Sequence, residues 1–408
     1  MCFIYKGLIL LWQMRDRSKR SSIFNEKQGR RMNIYYRQLL YIGIIDLVIG
    51  AFPCTGLWAG DLTIDPKIST SRRIDDNFYK VDSGISGVAK AEVATMLVQP
   101  AVDFNYDTDQ SNIYIDYSLN RYDYSSVAVD DSYTGHTAIY GASTELNPRL
   151  AMAFNGTFNK TRKAAVADPT GNSIARTKYT MNRYIPELTW SFSQKFSIKV
   201  KYIISDTDYD SGVTGEDYDF KSPVLRLIYN ISDTASIALE YKQLDMDYSK
   251  NTPDYQSKLT RFVFNGDFSK INLGLALGIH DRTFDGNTLG DFDQTVYRAR
   301  LIYDEWLTID KSRDYAATSQ LSADVLEVSA LYTLMTRVTA GLKWRQQESD
   351  YKSGPRDDEA TSMEANLGYI FNYWFTASLA AGKEERESNK HGRDYDNGYK
   401  RITVDIIF

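Results

Sequence analysis

The sequence predicts an all-β fold, a transmembrane antiparallel up-and-down β-barrel of about 18 strands. Three observations lead to it: residues from Asp61 to Phe408 alternate between apolar and polar with a period of two, very short turns alternate with longer polar segments, and the chain ends on an apolar strand with a terminal aromatic residue. A barrel strand needs only one lipid-facing side, so its average polarity stays mild. A mean hydropathy of −0.41 is therefore compatible with a membrane protein.

One long apolar stretch, Leu39 to Phe52, precedes the alternating region and contains Asp46. It is shorter than the roughly twenty apolar residues that a spanning helix needs. Arg37 lies before it and small residues lie after it, which is the order of a secretory signal peptide. We therefore expect a signal peptide at residues 32–60, cleaved after Ala59 or Gly60.

The remaining chain divides simply. Residues 1–31 form a basic, polar stretch ahead of Met32, and we interpret them as a non-native or mis-annotated extension. Residues 61–408 are expected to form a single barrel domain. Both cysteines, Cys2 and Cys54, precede that domain, which excludes disulfide scaffolds and thiolate metal sites from it. Cys54 as a lipoprotein cysteine is the alternative, although the residues before it fit that cleavage rule poorly.

The alternation is clear in most of the predicted strands and weakest in the first two and from Tyr303 to Asp324. In one of the clear strands Ile271, Leu273, Leu275, Leu277 and Ile279 alternate with Asn272, Gly274, Ala276, Gly278 and His280. Successive side chains of a strand point to opposite faces, so one face is apolar and the other polar. Counting such segments gives about 18 strands, from near Leu62 to Phe408.

The turns differ in length in a regular way. Short connections are expected at Asn147-Pro148, Ser193–Lys195, Ser232–Thr234, Ser269-Lys270, Met335-Thr336 and Asn372-Tyr373, and longer polar segments fall between them. Outer-membrane barrels have short periplasmic turns and longer extracellular loops. This asymmetry predicts the outer membrane of a Gram-negative bacterium with both termini in the periplasm. The turn near Asp304-Glu305 is the least clearly marked, so the count could change by two strands.

The last strand carries apolar residues at every second position and closes on an aromatic ring. This pattern resembles the signal that hands barrel proteins to the outer-membrane assembly machinery, which would make that machinery and the outer-membrane lipid partners of the chain. The residues concerned are Ile402, Val404, Ile406 and Phe408.

A barrel of about 18 strands is wide enough for a water-filled channel. Alternation places a set of charged residues on its inner face: Lys199, Lys201, Arg226, Glu240, Lys242, Arg298, Arg300, Lys343, Arg345, Arg401 and Asp405. Basic residues outnumber acidic ones in this set, which favours anionic solutes or an acidic polymer. A lumen in which the two signs neutralise each other is the equal alternative.

Nothing in the sequence predicts an enzyme, a cofactor or a metal site. The histidines, His136, His280 and His391, are far apart and have no recognisable serine or acid partner nearby. A barrel hydrolase would need such a group of residues facing one side. The net charge of −5 is spread along the chain, without the basic block that nucleic acid binding would require.

Short phrases in the sequence resemble one family. Arg73–Tyr79, Val98–Val102 and Arg393–Asn397 look like segments of the outer-membrane β-barrel porins associated with exopolysaccharide and capsule gene clusters. The resemblance implies a barrel that helps a polysaccharide leave the cell, with a glycan and a polysaccharide-export lipoprotein as partners, and it supplies no catalytic residues. The alternatives are a general diffusion porin for small, anionic solutes, a barrel sheath for an electron-transfer cytochrome, and a surface adhesin.

Overall fold

The computed structural model describes residues 60–78, 80, 90–125, 132–162, 178–210, 216–250, 252–286, 291–315, 321–351 and 356–408. The regular elements of these residues are β-strands, as the sequence predicted. In chain order they are β1 Asp61–Asp75, β2 Val93–Asp107, β3 Ser111–Tyr124, β4 Tyr133–Asn147, β5 Leu150–Arg162, β6 Lys178–Ser191, β7 Phe196–Tyr209, β8 Tyr218–Asn230, β9 Ala235–Tyr248, β10 Tyr255–Phe268, β11 Ile271–Phe284, β12 Phe292–Tyr303, β13 Leu307–Tyr315, β14 Leu321–Met335, β15 Val338–Tyr351, β16 Arg356–Asn372, β17 Phe375–Ser388 and β18 Tyr395–Ile407.

The 18 strands form one closed sheet. Each strand pairs antiparallel with the next in the chain, and β1 also pairs antiparallel with β18, from Lys67 opposite Ile407 to Asp75 opposite Tyr399. Closure satisfies the backbone hydrogen bonds that an open edge would leave unpaired, which is the condition for a sheet in lipid. The predicted antiparallel barrel and its strand number are confirmed.

The turn that the sequence marked least clearly is present. β12 ends at Tyr303 and β13 begins at Leu307, so Asp304, Glu305 and Trp306 form the connection. Asp304 and Glu305 have positive φ angles, 48° and 61°. Glycine or asparagine usually occupies such positions because other side chains are strained there. The turn therefore lacks the glycine or asparagine by which such a turn is usually predicted from a sequence.

The first and the last residues of the barrel sequence lie at the rim that carries the short turns. Asp61 begins β1 and pairs with Asp107, the last residue of β2 before the short connection 108–110. Phe408 donates its backbone N–H to the carbonyl of Pro66, near the same rim. Whether this rim faces the periplasm stays a prediction. The predicted signal peptide and extension lie outside the described residues, apart from Gly60.

Exposure distinguishes the inner face from the outer one. Residues of the apolar face are widely accessible, such as Phe262 at 71% and Leu342 at 60%, whereas polar-face residues such as Ser222 and Glu240 are 0% and 7% exposed. Side chains on the concave side of a curved sheet converge and shield each other. The polar face is therefore the lumen wall, and the apolar face is the outside. No helix among the described residues is long and apolar enough to cross a membrane.

Candidate permeation pathway

The residues predicted to line the lumen all lie on the polar face. The strand registers fix this: Lys199 is opposite Arg226, Arg226 is opposite Glu240, and Lys343 is opposite Glu364. The same parity applies to the other predicted positions, namely Lys201, Lys242, Arg298, Arg300, Arg345, Arg401 and Asp405. Their part in the passage of solutes stays a prediction.

Glu240, which is 7% exposed, is the centre of a group of charges on this wall. Its Oε1 accepts a hydrogen bond from Arg261 at 2.7 Å, and its Oε2 lies 3.5 Å from Nε of Arg226. One carboxylate thus stands between two guanidinium groups on the neighbouring strands. Lys242 follows two residues later on the same face and makes no hydrogen bond or ion pair within the described ranges. The group keeps an excess of positive charge.

Most of the other predicted cations are also paired with an acid. Glu187 binds Lys199 at 2.7 Å and Lys201 at 2.9 Å. Three further carboxylates have the same role on the other side of the barrel, in the pairs Lys343–Glu327 at 3.1 Å, Arg401–Glu364 at 3.0 Å and Arg298–Asp310 at 2.5 Å. The wall is therefore neither purely basic nor fully neutralised, because one acid often serves two bases.

Positive and negative side chains are concentrated on different parts of the lumen wall. On β6 to β12 the lumen face carries Arg183, Lys199, Lys201, Arg226, Lys242, Arg261, Arg282, Arg298 and Arg300 against Glu187, Glu240 and Asp267. On β1 to β4 it carries Asp61, Asp65, Asp75, Asp103, Asp107, Asp116 and Glu145 against Lys67 and Arg73. We call the part of the lumen wall on β6 to β12 the basic wall and the part on β1 to β4 the acidic wall. Sequence reasoning missed Arg183, Arg261 and Arg282, although the same alternation would have placed them inside.

Two of the three phrases on which the family resemblance rests, Arg73–Tyr79 and Arg393–Asn397, meet at the junction of the first and last strands. The N–H of Asn77 donates to Oδ1 of Asn397 at 3.0 Å, and Nδ2 of Asn397 donates to Oδ1 of Asp75 at 3.0 Å. Asn77 also donates to the carbonyl of Asp396 at 2.8 Å. These side chains are almost fully buried. We call Asp75, Asn77 and Asn397 the seam cluster. Its contacts hold the end of the first strand against the last strand.

The seam cluster continues into the lumen wall through Arg73. Its guanidinium bonds both oxygens of Asp75 at 3.0 Å and lies 3.7 Å from the centre of the Tyr399 ring. Tyr399 in turn donates to Glu364 at 2.7 Å, the carboxylate that also binds Arg401. The predicted lumen residue Arg401 is thereby tied to the closure of the barrel.

The expectation that the histidines have no serine or acid partner nearby is wrong for His280. Ser257 Oγ lies within hydrogen-bond distance of His280 Nε2, and His280 Nδ1 lies 2.5 Å from Oδ1 of Asp314. His136 Nδ1 lies 2.7 Å from the Tyr117 hydroxyl. The strands β10, β11 and β13 supply the first set, so its members are distant in the chain. Ser257 is only 3% exposed, and a nucleophile must reach its substrate. We therefore interpret these hydrogen bonds as contacts that hold the three strands together.

Two further sequence expectations concern the end of the chain and metals. Ile402, Val404 and Ile406 share the outer, apolar face of β18, and Phe408 is 76% exposed beyond it. Their function as an insertion signal stays a prediction. Within the described ranges no group of three or more histidine, cysteine or carboxylate side chains is placed to hold a metal ion.

No protein-family model matches the sequence, and no curated protein is similar to it. Among solved structures, OccAB4 of Acinetobacter baumannii superposes over 85% of this chain and 98% of its own, with 11% identity and a TM-score of 0.48. For OccK9 (OpdG) of Pseudomonas aeruginosa the coverages are 85% and 99%, the identity 10% and the TM-score 0.49. For OccK5 (OpdH) of the same species they are 85% and 98%, 9% and 0.47. At these values nothing about the solutes of this chain follows from the likeness.

Proposed function

We propose that this barrel is a channel of the Gram-negative outer membrane that passes small anionic solutes along the basic wall of its lumen. The observation that carries the proposal is the accumulation of cations on β6 to β12, where the acids are too few to neutralise them. The short-turn rim would face the periplasm, as it does in barrels of this construction.

The basic wall extends along the strands and not only around them. Arg282 lies near the long-loop end of β11, Arg261 lies near the middle of β10, and Lys199 lies near the short-turn end of β7. An anion would therefore meet a cation at each stage of its passage. Walls of one sign with low dielectric behind them focus the field and raise the local concentration of the opposite ion.

The reversal potential of the full chain in planar bilayers tests this proposal. Under a potassium chloride gradient we expect chloride to carry most of the current. Lys242→Glu should shift the reversal potential toward cation selectivity. Lys242 has no ion-pair partner among the described residues, so the substitution makes the wall more negative without breaking an ion pair. Lys258→Glu is the matched control, because this exposed lysine lies on the outer face of β10. A cation-selective wild type, or equal shifts in both variants, would contradict the proposal.

Export of an exopolysaccharide, with a glycan and an export lipoprotein as partners, stays a prediction that rests on the sequence resemblance. The basic wall would suit an acidic polymer as well as a small anion. Blockade of the bilayer current by oligomers of a uronic acid, added at the short-turn side, separates the two: long-lived blockades favour the polymer, and unchanged current favours small solutes. The cytochrome sheath and the adhesin stay predictions without support from the lumen wall.

A further inference from the structure

The outer face carries a group of cations where its apolar band ends, on β17, β18 and β1. Arg72, Lys383 and Lys400 are exposed on this face, as the registers of Lys400 opposite Ile74 and Ala381 establish. Lys383 pairs with Glu385. Arg72 and Lys400 make no hydrogen bond or ion pair to any residue that the structure describes. Arg72 and Lys400 thus lie unpaired on adjacent strands, where the outer face changes from apolar side chains to the acidic ones Glu385 and Asp396.

Residues that are paired on neighbouring strands define lines across the sheet, and the register shows that these lines are inclined to the rim. Phe375 begins β17 at the short-turn rim and pairs with Ile406, which pairs in turn with Ile68. Ile68 lies well above the start of β1 at Asp61. Lines of paired residues therefore climb away from the short-turn rim on passing from β17 to β1.

The three cations follow the opposite diagonal. Lys383 lies two residues beyond the partner of Lys400 on β17, toward the long-loop end, and Arg72 lies two residues short of its partner on β1. This descent offsets the climb of the register lines, so the cations lie at similar heights on the barrel. Diagonal neighbours on adjacent strands are about 7–8 Å apart, close enough for two long side chains to reach one anion.

The surroundings match the two parts of a lipid. Toward the short-turn rim the outer face presents apolar side chains, with Ile402 47% exposed and Leu379 57% exposed. Toward the long-loop rim it becomes acidic at Asp396, which pairs with Lys90. A membrane lipid has acyl chains below its head group, so a phosphate would lie at the height of the cations.

We propose that Arg72 and Lys400, flanked by Lys383, bind a phosphate group of an anionic lipid in the leaflet nearest the long loops. The planar guanidinium can donate two hydrogen bonds to phosphate oxygens, and the ammonium acts as a compact charge beside it. The site rests on the membrane placement proposed above and is independent of what the lumen passes.

Lipid retention by the purified full chain tests the site. The probes are lipid A with both phosphates, lipid A from which the phosphates have been removed, and inorganic phosphate, with bound lipid measured by native mass spectrometry. We expect the phosphorylated lipid to be retained and the dephosphorylated one to be lost. The double variant R72Q/K400Q should bind the phosphorylated lipid more weakly by about fivefold for each cation removed. Lys258→Gln, which removes an isolated outer-face lysine on β10, should bind like the wild type.

Three results would overturn the site. The double variant could retain the lipid as strongly as the wild type, Lys258→Gln could weaken binding equally, or inorganic phosphate could displace the lipid at equal concentration, which would indicate a site for the free ion. Heat-dependent mobility on gels establishes that each variant is a folded barrel. Failure of the wild-type chain to insert into lipid vesicles would overturn the membrane placement, and the lipid site with it.

Discussion

Asn77 donates its backbone N–H to the side-chain oxygen of Asn397 at 3.0 Å, across 320 residues of chain, and both side chains are completely buried. The contact joins the end of the first strand to the beginning of the last. Asp76 and Gly398 reinforce it with a reciprocal pair, since N of Asp76 donates to the Gly398 carbonyl at 3.0 Å and N of Gly398 donates to Oδ1 of Asp76 at 2.7 Å. Barrel closure is thus fixed at the long-loop end by side chains as well as by the strand ladder.

Asn397→Ala is expected to weaken the seam cluster. The change removes the acceptor of the Asn77 N–H and the donor to Asp75, and leaves buried polar groups without their partners. Such a loss costs about 1–3 kcal/mol per group. We expect the variant barrel to unfold at a lower temperature, measured by heat-dependent mobility on gels in detergent.

Asn265→Ala is the matched control for this substitution. Asn265 is exposed, and it makes no side-chain hydrogen bond to the residues that the structure describes. The same chemical change should leave the unfolding temperature almost unchanged. Equal losses in the two variants would show that the seam cluster adds nothing to closure.

Gly382→Ala should disturb the same region from the neighbouring strand. A Cβ at this position would lie 2.5 Å from Cζ of the Tyr399 ring and 2.7 Å from the carbonyl oxygen of Met363, so the ring and its bond to Glu364 must shift. Gly274→Ala is the control, because its Cβ would meet nothing closer than 3.8 Å. We expect a lower unfolding temperature for the first variant only. A fully stable Gly382→Ala would mean that Tyr399 moves freely.

Ser257 is predicted to be unreactive despite its histidine and carboxylate partners. Its side chain is 3% exposed, so an electrophile cannot approach the hydroxyl in the folded barrel. A fluorophosphonate probe should leave the folded protein unlabelled, and His280→Ala should lower stability because Asp314 and Ser257 lose their common partner. Labelling of the wild type that Ser257→Ala abolishes would reverse this interpretation and indicate a hydrolase.

The local pattern of the sequence was enough to predict the strands, their faces and their number. Alternation placed Lys242 and Arg226 on the polar face without any knowledge of their neighbours, because the parity of a strand is a local property. The partners of His280 and Asn397 were out of reach, since they depend on which strands become adjacent and in what register. The separation of acidic and basic walls was missed for the same reason: signs can be mapped around a lumen only after the order of all strands is known.

Glu240→Gln should increase anion selectivity while it lowers stability. Glu240 is the shared acid of Arg226 and Arg261, so its removal leaves two guanidinium groups with uncompensated charge on the lumen wall. The added positive charge favours anions, and the mutual repulsion of the two bases destabilises the barrel. Reversal potentials and unfolding temperatures measure the two effects. Glu359→Gln removes an acid from the outer face at the long-loop end and should change neither as much. If Glu240→Gln leaves selectivity unchanged, the basic wall does not control the path of the ions, because its most buried acid would then have no effect on them.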